Sequence, residues 1–430
     1  MNPPGRVPEM LRQREFRRYW GAQMISMFGD QVSSVAIPYT GILALHADAA
    51  EMGFLTAAIW VPSLIFALHA GVWADRFGHR RILMITADLG RAGLLALIPV
   101  AALLHMLALW QLYAVAFAVG TLSVLFTVCD PALFVALVPS QRYVAGQSLV
   151  YGSRAFSFVG GPSLGGILVQ LLAAPFAVAA DALSFLGSAF FLSRIRPAEL
   201  PGDPDSHGSL SAGVRFIAHS RVVRSSLGAA AFINFFSFVF VTLFALYATR
   251  YLHVRPGVLG VVLGAGAVGG VLGALVTRRL ARRLGVGWTF VAGCVLFPAP
   301  LALVPLASGP RVIIIGALFG SEFFSGVGVM ILDISIGSIF AAVIPDQLRS
   351  RVTGAFQAVN YGTRPAGSLV AGALGTIIGI RPTLWIAALG GLTGFLWLLP
   401  SPLPGFRLPP ENTSEAFSVK KEKSDIRTHE

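Results

Sequence analysis

Charge is scarce in this chain. Of its 430 residues, 12% are Asp, Glu, Lys or Arg, against about 25% in an ordinary soluble domain, and that shortage excludes a soluble enzyme. Cysteine is scarcer still. Cys129 and Cys294 are the two present, each set in apolar sequence, so there is neither a disulfide framework nor a thiolate metal spacing. Lysine occurs only as Lys420, Lys421 and Lys423, which leaves arginine to supply the other 29 basic residues. No GxxxxGKS or GxxxxGKT phosphate loop and no HExxH helix occurs, so the reading includes no ATP, no metal and no cofactor. The first twenty residues hold no apolar run, and no cleavable signal peptide is expected.

What the chain has in abundance is apolar sequence, with 55% hydrophobic residues and a mean hydropathy of +0.74. A bilayer core of about 30 Å takes roughly 20 apolar residues per helical crossing, so twelve crossings use about 240 to 290 residues. Apolar stretches fall at about 19–45, 52–73, 82–104, 110–137, 147–172, 176–194, 225–249, 257–277, 288–307, 311–340, 352–378 and 382–400. The expected fold is an all-α membrane protein of twelve transmembrane helices in two pseudo-symmetric six-helix halves. Its parts are an N-tail (1–18), a first bundle (19–194), a linker with an amphipathic helix (195–224), a second bundle (225–400) and a disordered tail (401–430).

A net charge of +12 suggests a nucleic-acid partner only if the charge is gathered in one place. Here it is dispersed in short blocks between apolar runs. Twenty-five of the 32 Lys and Arg lie in the tails and alternate loops of one side and four (Arg250, Arg255, Arg311, Arg381) on the other. Cytoplasmic loops retain basic residues, so both termini are expected inside, in the inner (cytoplasmic) membrane, with no nucleic acid involved. The halves also echo one another: Tyr151-Gly-Ser-Arg154 returns as Tyr361-Gly-Thr-Arg364, an offset of 210. Such repeats are what an alternating-access carrier shows.

Two letter patterns are rejected by context. Gly264-Ala-Gly266-Ala-Val-Gly269 satisfies GxGxxG, and Gly161-Pro-Ser163-Leu-Gly165 satisfies GxSxG. Each lies within an apolar span instead of at a strand-to-helix turn. The ladder Gly260, Gly264, Gly266 and Gly270 instead permits close helix packing.

The loop GVWADRFGHRR (Gly71 to Arg81) is more specific. Gly71 allows a close approach, Gly78 accepts a turn with φ > 0, and Arg76, Arg80 and Arg81 hold the loop inside. Asp75 is placed to accept hydrogen bonds from the positive N-terminal turn of another span. Asp88 and Arg91, spaced i, i+3, read as a structural pair behind this gate.

Ionisable groups inside spans are functional candidates by default, because each costs about 2.5 to 3.5 kcal/mol to insert. At helical rise Asp30, Arg154, Glu322 and Arg364 lie roughly 12 to 18 Å from the nearer membrane edge. Asp30 with Arg154, and Glu322 with Arg364, are expected to pair across a central cavity. A carboxylate stripped of water holds its proton more tightly and a neighbouring cation loosens it. Moving the cation, or replacing it with substrate, then switches the acid between taking and releasing a proton. Asp130 and Asp333 read as solvated mouth residues and Asp181 as a polar packing residue. Gln31, Gln147, Tyr151, Phe236, Phe323, Gln357, Asn360 and Tyr361 are candidate cavity residues, with Phe240, Phe244 and Tyr247 as further aromatics.

The loop at Gly71 to Arg81 resembles the GxxADRxGRR loop of the major facilitator superfamily. Phe16 to Pro38, Asp88-Leu-Gly-Arg-Ala92 and Gly161-Pro162-Ser-Leu-Gly165-Gly166 are similar to its drug:proton antiporter branch, which holds macrolide-type and siderophore exporters. Three departures stand out. No arginine occurs between Trp110 and Val138, Ser148 and Ser157 break the glycine series before Gly161, and Thr277 replaces the second-half Asp. The resemblance implies a non-enzymatic, proton-driven exporter of a small amphipathic molecule, gated on the inner side by the Asp75 loop. An importer or uniporter on the same fold, and a membrane receptor or enzyme, are the alternatives.

Overall fold

With no water in a hydrocarbon layer, a lone backbone segment satisfies its N–H and C=O groups only as a helix, and the chain is helical almost throughout. The computed structural model describes residues 9–196 and 210–406, the side chains of residues 9, 67–77, 210–213, 346, 347, 350 and 351 excepted. Span 1 is Arg14–Tyr39, span 2 Ala49–Phe77, span 3 Arg80–Leu103, span 4 Leu109–Leu137, span 5 Tyr143–Leu172 and span 6 Ala174–Ser193. Span 7 is Arg221–Arg250, span 8 Pro256–Leu284, span 9 Val286–Leu306 with a 3-10 turn at Ala299–Ala302, span 10 Arg311–Val343, span 11 Asp346–Ile377 and span 12 Ile380–Thr393.

Nine of these are long and apolar enough to cross a membrane on length and composition alone. Spans 1, 11 and 12 complete the twelve. Span 1 is interrupted by Gln23, Asp30 and Gln31, and span 11 by Gln357, Asn360 and Arg364. Span 12 holds 14 residues of regular helix. Two more helices share the ends, Glu9–Arg12 and the amphipathic Leu210–His219, which packs on span 11. The linker residues 197–209 lie outside the described residues.

Packing follows the internal repeat. In the first half span 1 lies on spans 5 and 6, span 2 on 4, and span 3 on 4 and 6; in the second half span 7 lies on 11 and 12, span 8 on 10, and span 9 on 10 and 12. The halves meet chiefly through span 2 on span 11 and span 5 on span 8, the two symmetry-equivalent seams. Both seams are built on glycine. A Cβ added at Gly53 would stand 2.8 Å from the Ser368 carbonyl oxygen, and one at Gly260 2.4 Å from that of Pro162. Such approach is what small residues permit in lipid.

These contacts lie toward one end of the molecule. Gly53, Gly372 and Gly375, with Gly166, Gly257 and Gly260, sit at the ends of their spans away from the arginine-rich loops. The core repeats the asymmetry. One apolar cluster draws Tyr39, Met52 and Leu55 of the first half together with Phe240, Leu243 and Leu259 of the second. At the arginine-rich end the cores are separate, one around Phe16, Met84 and Leu133 and another around Ile233, Phe290 and Ile336. The halves are therefore fused at one end and part toward the other.

Gly166→Val is expected to loosen the fused end, since its Cβ would meet the Pro256 carbonyl oxygen at 2.5 Å. Overpacking of about 1 to 3 kcal/mol shifts the closed–open balance roughly five- to a hundredfold. A cysteine introduced at the buried Val169 should then react faster with a water-soluble maleimide by that factor. An unchanged rate contradicts the seam assignment.

Residues 401–406, expected to belong to the disordered tail, are ordered against the second bundle. Leu403 is fully buried, its carbonyl lies against Gly287, and Gly287 N–H donates to the Phe406 carbonyl at 3.1 Å. Leu403 is apolar in a polar stretch, which is why it docks. Residues 407–430 lie outside the described residues.

Candidate functional site

Arg91 of span 3 organises the first half. It is 2% exposed, forms an ion pair with Asp88, and its guanidinium lies 4.0 Å from the Phe185 ring and 4.6 Å from that of Phe126. Its charge also acts on Asp30 and Asp181. Asp88–Arg91 is thus a pair, as expected from spacing, but its wider neighbours are mid-depth acids in addition to any loop contact.

Asp30 is exposed although it stands sixteen residues, about 24 Å at helical rise, into span 1. Its surroundings place it on the inside of the bundle. Arg91 and Arg154 lie within electrostatic range of it, although the expected Asp30–Arg154 pair is not closed as an ion pair among the described residues, and its neighbour Gly29 is pressed so closely on span 6 that an added Cβ would overlap Asp181 and Ser184. Asp181, expected to be a packing residue, is 1% exposed, accepts a hydrogen bond from Ser184 Oγ at 2.9 Å, and lies within electrostatic range of Asp30. Asp30, Asp88 and Asp181 therefore share Arg91.

Closer to the arginine-rich end, Asp130 of span 4 accepts a hydrogen bond from Tyr19 Oη at 2.6 Å and another from Gln23 Nε2. Arg154 acts on it as well. Asp130 is thus hydrogen-bonded between spans 4 and 1 instead of a solvated mouth residue.

In the second half the expected Glu322–Arg364 pair is not formed among the described residues, and Asp333 of span 10 is the acid within electrostatic range of Arg364. The guanidinium sits in an aromatic cage, 4.0 Å from Trp60, 4.5 Å from Tyr361 and 5.0 Å from Phe238. Glu322 is half-buried against Gly266 of span 8. Eleven residues are three helical turns, so Glu322 and Asp333 share nearly one face and differ in depth: Glu322 lies at the level of Gly266 of span 8, and Asp333, nearer the arginine-rich end, is exposed and in range of Arg364. The electrostatic ranges follow the repeat: Asp130 lies in range of Arg154 on spans 4 and 5, and Asp333 in range of Arg364 on spans 10 and 11.

Trp60 belongs to the first half and Phe238, Tyr361 and Arg364 to the second, so the cage bridges the seam at mid-depth. Trp60→Leu removes a cation–π contact of about 0.5 to 2 kcal/mol, and a two- to thirtyfold rise in Val169→Cys labelling is the expected result. No change in labelling would make the cage a local packing feature.

Among the gate residues, Gly78 has φ +71°, the turn conformation expected of it. Arg81 donates to the Leu192 carbonyl at 3.0 Å and the Ser193 carbonyl at 2.9 Å, meeting the negative C-terminal end of span 6. Arg80 begins span 3. The side chains of Gly71, Asp75 and Arg76 lie outside the described residues. In the exporter motif, Gly161 and Gly165 face Gln31 and Val32 of span 1, Gly166 faces span 8, and the Pro162 carbonyl faces Gly260. This motif holds span 5 between the halves.

Of the candidate cavity residues, Tyr151 and Gln357 are exposed and Gln31 and Gln147 half-buried. Asn360 accepts a hydrogen bond from Asn234 Nδ2 at 2.6 Å, and Tyr361 is in the cage. Phe236 is not a cavity residue, because its ring lies against Gly390 of span 12. Phe240, Phe244 and Tyr247 are buried in the shared core. Phe323 packs its carbonyl on Gly269 and its ring edge-on to Phe324 at 5.4 Å.

A family profile described as "transmembrane secretion effector" matches residues 8–427. The chain belongs to that family of the major facilitator superfamily. It is similar to the multidrug efflux pump Tap of Mycolicibacterium fortuitum, 27% identical over 388 residues, 83% of this chain and 88% of that protein. The Tap protein of Mycobacterium tuberculosis H37Rv is 28% identical over 402 residues, 86% of this chain and 88% of that protein. Among solved structures, a nucleoside transporter, NupG, superposes with a TM-score of 0.73 at 11% identity, covering 90% of this chain and 98% of that one. A bacterial Spinster homologue in its inward-facing and occupied conformation gives 0.73 at 13% identity over 92% and 97%. These structures establish the major facilitator fold. This transmembrane secretion effector is accordingly a multi-pass transporter of the cell membrane for small molecules, and not an enzyme.

Two features of this transporter escaped the sequence. Asp181 carried a signal, being an acid in an apolar span. Trp60 carried none, since one tryptophan in a hydrophobic helix looks like any other.

Proposed function

We propose that this transporter exports a small amphipathic molecule, such as a drug, antibiotic or secondary metabolite, by alternating access, with protons moving the opposite way. The observation that carries the reading is the single shared core at one end and the divided cores at the other, with Asp30, Arg154, Asp333 and Arg364 between them. Positive loops stay cytoplasmic, so the parted end faces the cytoplasm with both termini, and substrate loads from there. The relatives named multidrug efflux pumps support the export direction.

The charges supply a switch. Arg154 lies within electrostatic range of both Asp30 and Asp130, so substrate entering the cleft competes with these acids for the same cation. When Arg154 moves, an acid left without it takes up a proton. Closure at the cytoplasmic end requires opening at the fused seams, where the Trp60–Arg364 cage gives way.

Everted vesicles energised with a proton gradient should accumulate a compound selected by growth protection, and a protonophore should collapse that accumulation. Uptake by intact cells that survives the protonophore would instead make the protein an importer or uniporter.

A further inference from the structure

Arg279, Arg282 and Arg283 stand at the end of span 8 at positions i, i+3 and i+4, one helical face. They are exposed and together line a hollow. No Asp or Glu occurs anywhere in residues 206–321, so the stretch offers these arginines no acidic partner of its own. Beside them, beginning at Leu284, runs a groove of about 520 Å³ lined by Trp288, Val291, Ala292, Val295 and Ala299 with no polar side chain. Its lining repeats along one face of span 9, whose opposite side packs Gly293 on Leu332 of span 10.

The dimensions suit one leaflet. Trp288 to Ala299 is eleven residues, about 16 Å at helical rise, and half of a hydrocarbon core is roughly 15 Å. Trp288 is 50% exposed at the boundary between the basic hollow and the apolar groove, the level at which amphipathic indole rings sit in membranes. Three arginines with no acidic partner among the described residues, above an acyl-length groove, are complementary to a phosphate on a hydrocarbon chain.

We infer that the corner between spans 8 and 9 is a binding site for an anionic phospholipid. The headgroup phosphate lies on Arg279, Arg282 and Arg283, and an acyl chain lies along the Trp288–Ala299 groove. The inference is independent of export direction and of proton coupling, and it gives the arginine-rich loop of the second half a ligand.

The test uses the full-length protein in phosphatidylcholine nanodiscs doped with phosphatidylglycerol, read by the thermal midpoint. The midpoint should rise saturably with phosphatidylglycerol. At about a fivefold effect per arginine near a charged surface, R279Q/R282Q/R283Q should need roughly a hundredfold more of the lipid. Ala292→Trp, which fills the groove and keeps the arginines, should also weaken the response, and it decides the matter if the triple variant does not fold. Inorganic phosphate alone should leave the midpoint unchanged. An equal response to phosphatidylcholine, a full response to free phosphate, or wild-type behaviour in both variants would overturn the assignment.

Discussion

Asp30→Asn is expected to cut proton-driven export about a hundredfold, while substrate binding and the melting midpoint stay near wild type. Asparagine keeps the shape of the side chain and its hydrogen-bonding capacity, and it removes only the site that can gain and lose a proton. Folding should tolerate the change because Asp30 is exposed to the cleft, whereas the buried ion pair of this region is Asp88–Arg91. Three measurements check it: flux in everted vesicles under a fixed pH gradient, equilibrium dye binding without a gradient, and thermal unfolding. Wild-type flux would return Asp30 to a structural role, with Arg154 drawn to Asp130 alone.

Arg91→Met should be the most destabilising single change in the site. Asp88 and Arg91 are 0% and 3% exposed at their side chains, and removing one partner of a buried pair costs about 3 to 5 kcal/mol, because the other charge is left unmatched. Loss of the stacking on Phe126 and Phe185 adds roughly 1 kcal/mol. Asp88→Asn with Arg91→Met should recover much of this, since a neutral pair leaves no stranded charge. The double-mutant cycle isolates the coupling, read from unfolding midpoints in detergent. A single variant within about 1 kcal/mol of wild type would mean that water reaches Asp88 when Arg91 is gone.

The pattern of apolar runs and arginine loops was enough to give the twelve rods, because backbone burial in lipid leaves the chain few choices. It also gave the turn at Gly78 and the close packing at Gly260 and Gly264, where the absence of a side chain is itself the structural device. Sequence gives depth along a helix but not which neighbour a face will meet. Arg154 and Arg364 were recognisable as a repeated pair and were matched by depth to Asp30 and Glu322, yet Asp333, three turns from Glu322 on nearly the same face, is the acid in range of Arg364, and Asp130 is a second acid in range of Arg154. Asp181 was set aside for the same reason, since its partner Asp30 lies on a helix 150 positions away. Phe236 was assigned to the cavity by composition, and Gly390, by leaving a hole in span 12, draws its ring elsewhere.

On the proposed function, mid-depth acids reached from one face at a time exchange protons for substrate. Proteoliposomes holding the purified protein and a lumenal pH dye test it most directly. An inward or outward substrate gradient, imposed with no initial pH difference, should move protons against the direction of substrate flow in the wild type. In Asp30→Asn the lumenal pH should stay still. Substrate movement with no proton signal in the wild type, or an undiminished signal in the variant, would contradict the account.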